Sequence, residues 1–347
     1  MKVKIRIGNE VKEYTGAWED HTLLEVFQEL GITQVHAPCG GNGTCKKCLV
    51  TVEGLGEVLS CQTQCKDGMC VTVAEEQKSA IAENGNCYLY PADAGEGLLA
   101  ACDIGTTTVV CHLLDGATGV RLCTVSAPNA QRSFGADVIS RIQASVDSGL
   151  DKLQSAIVDQ INGMLVQLKQ KAGRTEDIRR LAVAGNTVMS HLFCGLSPES
   201  IGVAPFTPLS LFGESYDAKQ IGIEGCETVY VVPSIAGYVG GDIVADLAAV
   251  QMHSSVLAED GEKETLMLDI GTNGEMVLGK SGSYVCCATA AGPAFEGAKI
   301  ECGMRGAAGA VDHVEYKDGK WTYTTVGNAA PVGLCGSGLI DLVAQLY

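Results

Sequence analysis

Residues 3 to 7, Val-Lys-Ile-Arg-Ile, alternate apolar and charged side chains, which predicts a strand with one buried face. Glu10 to Thr15 can return as its hairpin partner across Gly8-Asn9. In "EDHTLLEVFQELGI" the period changes: Leu23, Leu24, Phe27 and Leu30 make one helical face, stopped by Gly31. "CLVTVEG" and "MCVTVAEE" then return to strand alternation, so the order to residue 75 is strand, strand, helix, cysteine-rich loop, strand, strand, which suits a small β-grasp domain. Periodicity is lost over 76–97, where Gly, Asn and Pro gather, and a linker is expected. From Leu98 the block ending at "TVSAPN" reads as three strands with turns at Gly105 and "DGATG". "GADVISRIQASV" and the long segment ending at Gly173 read as helices, and "IRRLAVAGNTVMSHLFCGL" as a buried strand running into a helix. A second α/β unit follows in "TVYVVPSIAGYVGGDIVADLAAV", and "ETLMLDIGTNGEMVLG" repeats the earlier strand, turn, strand pattern. The division expected is 1–75, linker 76–97, 98–207 and 208–347.

Composition narrows the function classes. A chain of 347 residues can bury ordinary cores in two or three domains. The formal charge of -17 speaks against a nucleic-acid or anionic-membrane partner, because no basic footprint exists to neutralise phosphates. The start, "MKVKIRIGNEVKEY", has no apolar core or cleavage site of a signal peptide, and no run is long and apolar enough for a membrane helix, so a cytoplasmic protein is expected. In that setting thiols stay reduced, and clustered members of the 16 cysteines read as ligands, not disulfides. Cys111, Cys123, Cys194, Cys286 and Cys287 lie in apolar patterns and read as small core side chains.

The cluster lies in "HAPCGGNGTCKKCLV", with Cys39, a Gly-rich spacer, Cys45 and Cys48, and Cys61 in "VLSCQT" as fourth candidate. Cys45-x-x-Cys48 is one close thiolate pair, and Cys65 four residues after Cys61 keeps a zinc site open. "GGNGT" favours a [2Fe–2S] cluster: nearly free of side chains, it lets successive N–H groups face bridging sulfides.

Two further stretches share a chemistry. Asp103-Ile-Gly105-Thr106-Thr107-Thr108 and Asp269-Ile-Gly271-Thr272-Asn273-Gly274-Glu275 each close an apolar strand. In such a turn Gly admits a phosphate to the backbone, Thr supplies donors, and the strand-end Asp can hold Mg²⁺ through water or orient attack. A Gly-rich turn at Gly336-Ser337-Gly338 opens a last helix and is a third candidate for the nucleotide, as is "GYVGGD".

The paired turns resemble the ASKHA superfamily of sugar kinases, actin and Hsp70-like ATPases. Together with the N-terminal cysteine loop, and with "FGADVISRI", "VAGNTVMSHL", "GVAPFTP", "PSIAGYVGGDIVADL", "AGPAFEGAKIECGMRGAAGAV" and "GLCGSGLIDLV" in order, the chain resembles the ATP-dependent reductive activators of corrinoid iron-sulfur proteins and corrinoid methyltransferases. The resemblance implies an α+β β-grasp [2Fe–2S] ferredoxin-like domain followed by α/β ASKHA lobes of actin/hexokinase-like, ribonuclease H-like type. The last lobe is expected to be incomplete, because the chain stops at Tyr347 where family members continue. It implies one-electron reactivation of cob(II)alamin to cob(I)alamin, driven by Mg-ATP and fed by a low-potential electron donor. The partner would be a corrinoid protein or methyltransferase subunit, with a homodimer as a candidate assembly. Carried over by position, Cys39, Cys45, Cys48 and Cys61 would ligate the cluster, Asp103 and Asp269 would serve catalysis, and the remaining turn residues would hold nucleotide. The rival readings are a non-enzymatic [2Fe–2S] electron carrier and an ASKHA-type small-molecule kinase.

Overall fold

The computed structural model describes residues 1–8, 10–32, 34–35, 37, 41, 43, 48–74, 95–253, 264–271, 273–280, 283–289, 302–304, 306–317 and 319–347. They fall into two compact units, divided at Asp246 within a helix.

The first unit opens with β1 (Lys2–Ile7), β2 (Glu10–Thr15), α1 (Leu23–Glu29), β3 (Leu49–Val52), β4 (Gly56–Leu59) and β5 (Met69–Val73). They form one sheet in the order β2-β1-β5-β3-β4, with β1 and β5 parallel and the other pairs antiparallel, as in a β-grasp. α1 starts at a capping box: Thr22 Oγ1 accepts from the Glu25 N–H, and the Glu25 carboxylate accepts from the Thr22 N–H. Its buried residues Leu23, Leu24, Val26 and Phe27 join Val3, Ile5, Val50, Val52, Val71 and Val73 in one core. Strand β4 was not expected from the sequence. Only four residues long, it follows a tight turn in which Gly54 and Gly56 both take positive φ, so its alternation is masked by turn residues.

The same unit continues with β6 (Leu98–Ile104), β7 (Thr108–Asp115), β8 (Arg121–Pro128), α2 (Val138–Asp147), α3 (Leu150–Ala172), β9 (Ile178–Gly185), α4 (Thr187–Cys194), β10 (Ser215–Asp217), α5 (Ala218–Ile221), β11 (Cys226–Val231) and α6 (Gly241–His253). The sheet order is β10-β11-β9-β6-β7-β8: β6, β7 and β8 run antiparallel, while β9 and β11 lie parallel to β6, the ribonuclease H-like order. α3 packs on β7 and β8 through Leu153, Ile157, Ile161, Met164, Leu165 and Leu168 and ends at Gly173 with φ 64°. The expected boundary at 207/208 falls inside this assembly, since β10 and β11 add to the same sheet as β6. Because β6, β9 and β11 are parallel, the loops after them emerge at one edge, where open α/β sheets bind ligands.

In the second unit, β12 (Thr265–Ile270), β13 (Gly274–Lys280) and β14 (Ser283–Thr289) form an antiparallel meander. β15 (Ala310–Lys317), β16 (Lys320–Thr325) and β17 (Gly333–Leu334) form another small sheet, followed by the helix Gly336–Leu346. Among the described residues no helix is long and apolar enough to cross a membrane.

Candidate cluster and nucleotide sites

Of the four cysteines expected to hold a cluster, Cys39 and Cys45 lie outside the described residues, while Cys48 and Cys61 are both placed. Cys48 precedes β3 and Cys61 sits in the 3-10 turn after β4, so the β3–β4 hairpin brings them together. Their Sγ atoms are 3.3 Å apart and buried, and the Ser60 N–H donates to the Cys48 carbonyl at 2.9 Å. Burial and the Cys48 thiol push the Cys61 thiol up, while the Gln62 side chain and the Gly43 N–H, both donating to the sulfur, pull it down. Two described glycines of the preceding loop lie beside this pair. Gly41 (φ 88°) and Gly43 (φ 72°) are left-handed; a Cβ on Gly41 would lie 3.8 Å from Cys61 Cβ, and one on Gly43 3.2 Å from Gln62 Cγ. Gln62 Nε2 ties the loop down by donating to the Gly41 carbonyl at 2.9 Å. Ser60 Oγ, fully buried beside Cys61, has no partner among the described residues. Two adjacent thiols, an N–H directed at sulfur, two left-handed glycines beside them and an orphaned hydroxyl fit a thiolate-held cluster. Cys65 is buried in the same core, its thiol pushed up by burial, and Cys70 lies half-buried in β5.

At the edge of the large sheet where the loops after β6, β9 and β11 emerge, Asp103 lies exposed one residue before the end of β6, and Gly105 begins the turn. A Cβ on Gly105 would stand 2.7 Å from the Thr108 carbonyl oxygen, so the turn closes only without a side chain there. Three elements absent from the sequence expectation hold it. Asn129, fully buried after β8, donates from its backbone N–H to Thr107 O (2.9 Å) and from Nδ2 to Gly105 O (2.8 Å). Asn186, the N-cap of α4, accepts from the Met189 N–H at 3.0 Å and donates from Nδ2 to Thr106 Oγ1 at 3.1 Å. Arg141 of α2, fully buried, donates to Thr106 O. The loop after β11 locks against these residues: Thr187 Oγ1 donates to Ala236 O at 2.6 Å, and a Cβ on Gly240 would stand 2.4 Å from Asn186 Cα. The 3-10 turn after Asn129 also meets the β-grasp helix, where Gln28 Nε2 of α1 donates to Ser133 O at 2.8 Å.

In the second unit, Asp269 pairs with Glu275 and Ile270 with Gly274 across the β12–β13 hairpin, and the Gly271 N–H donates to Asn273 O at 2.9 Å. Glu275 is buried, Asp269 half-buried, and Thr272 lies outside the described residues. Gly336, Ser337 and Gly338 form the first turn of the C-terminal helix. A Cβ on Gly338 would meet Val311 O at 2.2 Å, so this glycine lets the helix seat on β15.

Comparison with known proteins matches residues 6–76 to a 2Fe-2S iron-sulfur cluster binding domain, 98–255 to the RACo middle region, and 263–347 to the C-terminal domain of RACo, the ASKHA domain. The corrinoid activation enzyme RamQ of Eubacterium limosum is 33% identical over 95% of this chain and 68% of its own length. The chain belongs to the RACo family. A second relative, the [Co(II) methylated amine-specific corrinoid protein] reductase of Methanosarcina barkeri, is 28% identical over 64% of this chain and 41% of its own. The solved structure of a reductive activator for corrinoid, iron-sulfur protein superposes with a TM-score of 0.62 at 31% identity, over 99% of this chain and 72% of that one. The RACo middle region thus includes β10 and β11, in keeping with their place in the large sheet and in the first unit, and α6, which crosses the boundary of that unit.

Proposed function

We propose that this chain reductively activates a corrinoid protein, returning its cob(II)alamin to cob(I)alamin with one electron in an ATP-dependent step. The observation that carries the reading is the buried Cys48–Cys61 thiol pair, on one chain with the braced Asp103–Thr108 turn. Cys39, Cys45, Cys48 and Cys61 would hold a [2Fe–2S] cluster, which when bound supplies a one-electron carrier of low potential, near -400 mV for the plant type. The Asp103–Thr108 turn would take the phosphates, and Asp103 would hold Mg²⁺ through water. In the second unit, Asp269 to Glu275 and the Gly336–Gly338 turn offer the same residue types for further nucleotide contacts. The chain is best divided into a cluster domain, a connecting segment near 76–97, and two nucleotide-binding lobes, the first extended to take in β10 and β11.

Each ~100 mV by which the corrinoid lies below the donor costs about 2.3 kcal/mol for one electron. Nucleotide can offset that cost only by binding more tightly to the state competent for transfer. A contact network for such coupling runs from the turn through Asn129 and Ser133 to Gln28 of α1, whose Leu24 lies 3.6 Å from a Cβ built on Gly41. The electron source is a low-potential donor, and a homodimer is the assembly to test. The reading is checked by anaerobic reconstitution with iron and sulfide, reduction, and mixing with a cob(II) corrinoid protein. Cob(I)alamin absorbance should rise with Mg-ATP, and no rise with or without ATP would refute it.

A further inference from the structure

Arg141 braces the turn through one carbonyl, and its buried charge has no role in the function as stated so far. It stands on the apolar stripe of α2, at the i+3 position of Val138-Arg141-Ile142-Ser145, all of them buried. Its donors go to neutral acceptors: Nε to Gly135 O at 3.0 Å, Nη1 to Met189 Sδ at 3.0 Å, and Nη2 to Thr106 O. Burial and the neighbouring Arg132 push it down to about 9, which leaves it charged at neutral pH. The Asp137 carboxylate at the start of α2 compensates this buried charge in part, and an anion at the turn would compensate it further.

The turn beside it is built to receive one. Successive carbonyls of Gly105, Thr106 and Thr107 are bound by Asn129 Nδ2, Arg141 Nη2 and the Asn129 N–H. Asn129 Nδ2 and Arg141 Nη1 both contact Met189 Sδ, at 4.0 and 3.0 Å, so the anchors lie on one side of the turn. In a trans peptide the N–H points opposite its C=O, and fixing the Gly105 and Thr106 carbonyls therefore turns the Thr106 and Thr107 N–H groups to the other side. Consecutive amides directed alike make an anion-binding concavity.

We propose that Arg141 and Asn129 are positioning residues for phosphate: they hold three carbonyls of the turn so that its amides bind the nucleotide's phosphates, and Arg141 lends its charge from behind. This rests on the nucleotide reading of the same turn. The test titrates ATP and inorganic tripolyphosphate into the cluster-loaded full chain by calorimetry at several salt concentrations, for wild type, Arg141→Gln and Arg141→Lys. Arg141→Gln should weaken both ligands at least tenfold and flatten their salt dependence, and Arg141→Lys, which keeps the charge, should retain the salt dependence. A brace that is merely structural would not separate the two variants in this way. Arg141→Gln binding within twofold of wild type, with the same salt dependence, overturns the inference; wild type binding neither ligand overturns the nucleotide reading beneath it. If the variants do not fold, the amide signals of Thr106 and Thr107 in ¹⁵N-labelled wild type decide. A downfield shift on adding tripolyphosphate is expected, and unchanged signals under saturating ligand refute the inference.

Discussion

Replacing Asn186 by alanine should damage fold and site together, and replacing it by aspartate should separate the two. Asn186 makes two bonds of different purpose: Oδ1 caps α4 at the Met189 N–H, and Nδ2 holds Thr106 Oγ1. Loss of an N-cap side chain costs roughly 1 kcal/mol. The second, partly buried bond contributes about another 0.5–1.5 kcal/mol. Asn186→Ala should therefore destabilise the first unit by about 1.5–2.5 kcal/mol, a fall in Tm of roughly 3–10 °C for a unit of this size. Asn186→Asp keeps a good cap and so restores about 1 kcal/mol of that, yet it offers Thr106 Oγ1 no N–H donor. Circular-dichroism melts and ATP titration of the same samples give both readouts. Asn186→Asp should melt above Asn186→Ala but bind ATP as weakly. Alanine melting within 1 °C of wild type, or aspartate binding ATP as wild type does, would refute the reasoning.

Cys61→Ser should abolish stable cluster incorporation, whereas Cys65→Ser should keep it; iron and sulfide analysis with EPR of the reduced protein decides, and the reverse pattern would make Cys65 the ligand. Gly105→Ala places a Cβ 2.7 Å from Thr108 O, so the turn must open and ATP affinity should fall at least tenfold, while cluster content, read from the visible spectrum, stays unchanged. His191 is fully buried; its Nδ1 lies 2.7 Å from Thr187 O, its Nε2 accepts from the Ser210 N–H, and burial lowers its pKa. As pH falls through the ordinary histidine value near 6.5 the unfolded chain takes up this proton before the folded one, so stability is present above that pH and lost below it. Melts between pH 7.5 and 5.5 should show a shallower loss in His191→Gln than in wild type, with the similarly lowered His112 keeping some of the slope in both.

The β-grasp order was readable because its strands alternate and its helix carries a clean apolar face; β4 escaped because four residues between turn glycines carry too little pattern. In the large sheet every strand but the three-residue β10 was visible, though not which sheet β11 would join. That pairing, parallel to β9, is made across α4 and the long stretch that follows it, and local periodicity holds no information about it. The two Asp-x-Gly-Thr turns were found as short strings that bear their own chemistry. Their supports were not. Arg141 looks in sequence like one polar residue of an amphipathic helix, and only its place on the buried stripe hints that it is enclosed. Asn186 could have been caught as an N-cap directly after the strand-ending Gly185, whereas Asn129 carries no local sign at all. Cys61 was carried over by position as the fourth candidate, and the β3–β4 hairpin places it against Cys48.

The central claim joins a buried thiolate site to a nucleotide turn in one reductive act on a corrinoid. It is tested most directly by stopped-flow absorbance of a cob(II) corrinoid protein mixed anaerobically with the reduced, cluster-loaded chain, with Mg-ATP and without nucleotide. The account predicts that cob(I)alamin forms with Mg-ATP, and forms little without it. Cob(I)alamin formation at the same rate and extent in both mixtures, or in neither, would contradict it.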